Sequence, residues 1–224
     1  MLRWLHGAWA VFEKDIKLEL RSRYAINTML LFVLSALFLT AFAVGQETLT
    51  PRIESALLWI VIVFAAALGL GRSFVSEQER GTVLLLLLHT QGGMVYAGKL
   101  LFNFLFVLGL NLLAVGTFVL LLGVQVMAPG LLLTTLVLGA LGLAGATTLL
   151  AAIIARTATR GPLLPVLVFP MLIPLLLAVV TATRHALPDG LGWAAVGNEL
   201  LTLVGFAGVV ISASIILFDY VWYD

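Results

Sequence analysis

GRSFVSEQERGTVLLLLLHTQGGMVYAGK, residues 71–99, is the only long mixture of polar and apolar residues between hydrophobic blocks, and the rest of the chain reads as membrane built around it. It opens with four charges in nine residues, Arg72, Glu77, Glu79 and Arg80, and then breaks at Gly81 and Thr82. The apolar run that follows, residues 83–88, is far shorter than the ~20 residues that cross a bilayer, so a re-entrant or interfacial helix fits it best. The stretch also holds a false lead. Gly93, four further residues, Gly98 and Lys99 reproduce most of the phosphate-binding GxxxxGK pattern. The next residue is Leu100 rather than the Ser or Thr that would hold magnesium, and the intervening Met94, Val95 and Tyr96 are bulky. No soluble stretch follows that could complete a nucleotide-binding sheet, so the chain is expected to carry no ATPase site and to be no enzyme itself.

Of the 224 residues 62% are hydrophobic and only 10% charged, far from the roughly 45 to 50% and 25% of soluble domains, and mean hydropathy is +1.16. This composition predicts an all-α polytopic membrane protein, effectively one transmembrane domain over residues 1–224. A net charge of +1 gives no reason to expect a nucleic-acid partner. With no Cys there is no disulfide and no thiolate metal site. The first 24 residues show neither an uninterrupted apolar core nor a cleavage pattern, so no removable signal peptide is expected. Instead Leu5, Trp9, Phe12, Ile16 and Leu20 recur at spacings of three and four, with Lys14, Lys17 and Arg21 on the other side, as in an amphipathic interfacial helix. Such a helix can be a plain anchor or an elbow that transmits movement; the pattern by itself favours the anchor.

Six spans are predicted, at 26–45, 55–71, 100–124, 130–155, 162–183 and 199–218, with Pro51, Pro129 and Pro188 marking three connections. Ten of the twelve basic residues fall on one side: Arg3, Lys14, Lys17, Arg21 and Arg23 before the first span, Arg72, Arg80 and Lys99 after the second, Arg156 and Arg160 after the fourth. Only Arg52 and Arg184 fall opposite, so the positive-inside rule puts both termini in the cytoplasm. No Asp, Glu, Lys or Arg lies in the middle of a span, which disfavours an ion-coupled transporter and an intramembrane hydrolase. Gly109, Gly116 and Gly123 in the third span, and Gly139, Gly142 and Gly145 in the fourth, form stripes that suit close helix packing in lipid. Asn27, Asn103 and Asn111 read as interhelical hydrogen-bonders or headgroup-level residues. Pro170 and Pro174 should bend the fifth span, as a static kink or as a moving hinge.

Six spans, an N-terminal interfacial helix and a charged segment after the second span resemble the membrane subunit of an ATP-binding-cassette exporter. In such permeases that segment often runs from acidic residues through Gly-Thr or Gly-Ser into a Leu-rich helix ending near Gly-Lys; here these are Glu77, Glu79, Gly81, Thr82, residues 84–88, Gly98 and Lys99. The stretch LGALGLAGATTLLAAIIARTATRGPLLPVLVFPMLIPLLL, with Pro170 and Pro174 in its second half, is similar to the haem exporter protein B (CcmB) family of the cytochrome c maturation system, whose length and six-helix layout also agree. The Leu-rich run after Thr82 lacks the acidic residue often found there, and residues 219–224 match no family pattern.

The resemblance implies a permease of the bacterial inner membrane, present in two copies and bathed in lipid. Its implied partners are a separate ATPase subunit that holds ATP-Mg, a haem-handling and a small membrane subunit, and a haem chaperone. Residues 72–99 become a cytoplasmic coupling segment, in which Glu77, Glu79, Arg80, Gly81 and Thr82 dock on the ATPase. No cofactor is expected on this chain: the complex handles haem, and His6, His89 and His185 are not expected to be its axial ligands. The residues alone leave open an exporter for a lipid, polysaccharide or drug, and a scaffold subunit without energy coupling.

Overall fold

The computed structural model describes residues 2–45, 47–70, 90–155 and 163–223. These residues form an all-α membrane protein: α1 (Leu2–Ser22), α2 (Tyr24–Val44), α3 (Pro51–Leu70), α4 (Gly92–Leu122), α5 (Pro129–Ala155), α6 (Leu163–Ala186), a 3-10 turn (Gly192–Ala195) and α7 (Gly197–Tyr223). Helices α2 to α7 are each long and apolar enough to cross a bilayer. The predicted spans hold, with one marked difference: α4 starts eight residues before the predicted 100. At 31 residues it is about 46 Å long, well over the ~30 Å hydrocarbon thickness, so its first turns reach beyond the apolar layer.

Helix α5 is the hub. It packs against α3, α4, α6 and α7, and 72% of its most apolar window is buried, against 17% for α2. Its glycines explain how α3, α6 and α7 come so close. A Cβ at Gly139 would lie 2.4 Å from the Trp59 ring and 3.1 Å from Val179. One at Gly142 would lie 2.7 Å from Leu175 and 3.1 Å from Phe206, and one at Gly145 3.2 Å from Ile211. By contrast α2 buries only Met29, Val33 and Leu37, a single i, i+4, i+8 stripe, and stays at the rim.

The helix ends sort into two sets. At the near end lie α1 and the starts of α2 and α4, where Tyr96 meets Phe218 of α7 with ring centroids 5.4 Å apart. At the far end the connection before α5 is tied to α6, because Met127 and Ala128 donate their N–H groups to the Ala186 carbonyl at 3.0 and 3.1 Å. Pro51 and Pro129 occupy the first positions of α3 and α5, where a missing N–H costs no helical bond. Pro170 and Pro174 lie inside α6, both exposed, and His185 belongs to the last turn of that helix rather than to a loop.

Candidate functional site

The most constrained polar arrangement lies where α1 crosses the start of α4. Helix α1 presents Gly7, Ala8, Val11, Phe12 and Asp15 along one stripe, at spacings that share a helical face. Gly98 of α4 lets the backbones meet: a Cβ there would be 2.5 Å from the Ala8 carbonyl oxygen and 2.7 Å from the Val11 Cβ. Met94 reaches back over Gly7, leaving only 2.5 Å between its sulfur and a Cβ at that position. One residue after Gly98, the Lys99 ammonium is fully buried and meets Asp15 Oδ2 at 3.2 Å. Asp15 is itself 7% exposed, and its other oxygen accepts from Lys14 at 3.2 Å.

A buried pair of this kind is costly to break, about 3 to 5 kcal/mol when one partner is removed. Any register of α1 on α4 that separated the two charges would leave the Lys99 ammonium buried without the Asp15 carboxylate, so the pair disfavours slippage of the crossing. Gly98 and Lys99, the end of the rejected phosphate-loop pattern, thus serve a helix crossing, and both lie in regular helix.

The other end of α1 is fixed to α2. Arg23 joins the two helices alone, in the left-handed region at φ 51°, and its N–H donates to the Glu19 carbonyl at 2.6 Å. The Glu19 carboxylate accepts from the Ile26 N–H at 2.9 Å, satisfying one of the donors that the first turn of α2 leaves open. The result is a tight elbow: α1 is clipped to α4 by Asp15 and capped onto α2 by Glu19. Its apolar residues Leu5, Trp9 and Leu20 stay exposed, so α1 carries two apolar faces, one for α4 and one turned outward.

Below the crossing, α4 is bonded to α5. Asn103 donates to Thr148 Oγ1 at 2.8 Å and Asn111 to the Leu136 carbonyl at 3.0 Å, both fully buried. These are the interhelical bonds expected of them, while Asn27 is exposed near the start of α2. Trp59 donates to Thr183 at 2.8 Å and joins α3 to α6 near the far end.

Of the residues expected to couple the chain to a partner, Glu77, Glu79, Arg80, Gly81 and Thr82 lie outside the described residues, as do His89, the apolar run 83–88, Arg156 and Arg160. The expected segment 72–99 is in its last eight residues the beginning of α4. The sequence pattern did not point to Asp15 or Glu19. The one signal for Asp15 is its place at i+4 from Val11 and i+7 from Ala8, on the small apolar stripe rather than among the lysines. At the far end, His185 Nδ1 accepts from the Leu191 N–H at 3.4 Å. Among the described residues no three of His, Cys, Asp and Glu converge as metal ligands would.

The profile of the CcmB protein family matches residues 6–218. A curated relative, heme exporter protein B of Bradyrhizobium diazoefficiens, is 33% identical over 198 residues, which cover 87% of this chain and 88% of the relative. The match takes in the elbow, the α4 crossing and every span, and the chain belongs to the CcmB family.

Proposed function

We propose that this chain is the permease subunit of a haem-export complex of cytochrome c maturation, worked by ATP hydrolysis on a separate ATPase subunit. The observation that carries this reading is the near full-length match to the CcmB family and to a protein titled heme exporter protein B. Such a breadth of match favours haem export over an exporter of lipid, polysaccharide or drug. The ten-to-two split of basic residues supports placing both termini and the near end in the cytoplasm of a bacterial inner membrane.

The elbow supports a mechanical role. Residues 72–91 lead directly into the two turns of α4 that α1 grips through Gly98 and Lys99, so a push on that segment reaches α1 and α2 together. Glu77, Glu79 and Arg80 would dock on the ATPase by charge-assisted hydrogen bonds, with Gly81 and Thr82 turning the chain back to the membrane. Pro170 and Pro174, which leave the ladder of α6 without two donors, would let its near half move against a fixed far half. Haem ligation then falls to the haem-handling and small membrane subunits and the chaperone, with two copies of this chain passing on force.

The test is Glu79→Ala with Arg80→Ala. Losing one side of a buried charge pair costs about 2 to 5 kcal/mol, enough to weaken docking more than tenfold. The variant should insert at normal abundance yet recover less ATPase on pull-down, or an ATPase of lower activity. Retention of the ATPase, its activity and cytochrome c maturation would place coupling in another segment.

A further inference from the structure

Among the described residues Arg52 and Arg184 are the only Lys or Arg away from the near end, and they lie 132 positions apart in the sequence. Arg52 stands in the first turn of α3 and Arg184 in the last turn of α6. Because these helices pack side by side in opposite directions, held by the Trp59–Thr183 hydrogen bond, both arginines reach the rim of one groove at the far end. Below them the walls are apolar at Ala56, Ile173, Leu176, Leu177 and Val180, with Thr181, whose hydroxyl donates to the Leu177 carbonyl, beside them around about 530 Å³. Neither arginine pairs with a carboxylate among the described residues. Of the acidic groups at this end, Glu47, Glu54 and Asp189 line a separate recess that opens toward α2 and α4, and Glu199, in the first turn of α7, lines neither that recess nor the groove.

We propose that this groove binds one anionic phospholipid of the adjoining leaflet, its phosphate held by Arg52 and Arg184 and an acyl chain lying along Ile173, Leu177 and Val180. The dimensions fit this occupant. From Arg184 to Ile173 is eleven residues of helix, about 16 Å, which is half the ~30 Å hydrocarbon layer and therefore the depth of one leaflet. Further in, Phe64 and Phe169 meet across α3 and α6 with centroids 5.5 Å apart, beyond the last residue that lines the groove. Ile173 and Leu177 are 52% and 67% exposed, so the groove opens sideways to hydrocarbon rather than into the bundle. Two guanidinium forks at headgroup level suit a phosphate diester, which offers several acceptor oxygens. Haem would bring two carboxylates to the same arginines, but among the described residues no His, Met, Tyr or Cys lines the groove to meet its iron. The inference depends on neither the orientation nor the transport role proposed above.

Native mass spectrometry of the delipidated full-length chain, titrated with phosphatidylglycerol and in parallel with phosphatidylethanolamine, tests it. One phosphatidylglycerol should bind per chain, about fivefold or more in preference to phosphatidylethanolamine. Each of Arg52→Gln and Arg184→Gln should weaken that binding about fivefold, and the pair together about thirtyfold. Leu177→Trp, which fills the groove and leaves both arginines in place, should also expel the lipid, whereas Leu201→Trp on the exposed face of α7 should not. Equal binding of the two lipids, or phosphatidylglycerol binding that survives the double substitution, would overturn the proposal by reducing the arginines to general headgroup anchors. So would displacement of the lipid by hemin with a Soret change that the double variant loses, which would assign the arginines to haem propionates. Crosslinking of a cysteine at position 177 to another subunit in the assembled complex, with no lipid retained, would overturn it in favour of a partner helix.

Discussion

A methyl group added at Gly139 of α5 would run into the Trp59 ring at 2.4 Å; one added at Gly109 or Gly116 of α4 would meet nothing within 4 Å among the described residues. Both helices show glycine stripes, and both stripes suit close packing in lipid. The difference lies in the surroundings. Helix α5 has four neighbours and most of its window buried, whereas the face of α4 that carries Gly109 and Gly116 also carries the exposed Leu105, Leu112 and Leu120. Even within α4 the two kinds coexist, since Gly98 lies against α1 as tightly as Gly139 lies against α3. A small residue permits approach; it does not summon a neighbour.

Enlarging a hub glycine is the strongest way to break this comparison. The Trp59 ring cannot swing aside freely, because its Nε1 is bonded to Thr183 and the residue is 1% exposed. Gly139→Ala should cost about 1 to 3 kcal/mol, and Gly139→Leu should abolish folded protein. The fraction that stays monodisperse in detergent after heating measures both. A Gly139→Leu chain with unchanged thermal resistance would show that the hub is loosely packed and that the two stripes do not differ.

Next in size is the clamp, where the two partners should not be equivalent. Asp15→Ala removes the carboxylate facing a fully buried ammonium and should cost about 3 to 5 kcal/mol. Lys99→Met should cost less, because Asp15 keeps Lys14 at 3.2 Å and Met fills much of the volume left by the lysine stem. Asp15→Leu with Lys99→Met should recover most of the lost stability, since apolar pairs of similar volume often replace buried ions without penalty. Thermal midpoints of the three variants decide the order. Equal loss in both single variants would mean that Lys14 does not hold Asp15 when Lys99 is gone.

The clamp also marks where the sequence stopped being legible. Spans announce themselves because crossing hydrocarbon demands some twenty apolar residues, and all six were placed within a few residues except at the start of α4. There Tyr96 and Lys99 interrupt the apolar run, so hydropathy ends a helix that hydrogen bonding continues back to Gly92. The Asp15–Lys99 pair is 84 residues apart and leaves no local trace. The positions of Asn103 and Asn111 were readable as hydrogen-bonders because an amide within a span must find a partner, but which partner depends on the rotation of α5, which its nearly all-round apolar surface does not reveal. The likeness to the CcmB family was visible in the Gly-rich span and the proline run, and it extends over residues 6–218.

The smallest expected effect is at the open stripe, and it sharpens the comparison most. Gly109→Ala with Gly116→Ala places two methyl groups where nothing among the described residues lies within 4 Å, and alanine is the better helix former. The detergent-purified chain should therefore keep its thermal midpoint or gain slightly, by less than about 1 kcal/mol per site. Gly109→Leu with Gly116→Leu should behave almost as well, because it only extends the exposed row of Leu105, Leu112 and Leu120. The leucine pair should then be compared in the native membrane, by the amount of a differently tagged second copy of the chain that co-purifies. Unchanged recovery would mean that lipid covers this face, and the contrast with Gly139 would hold in the assembly as in the single chain. Reduced recovery beside an unchanged thermal midpoint would show that the glycines of α4 meet a neighbour after all, supplied by another chain.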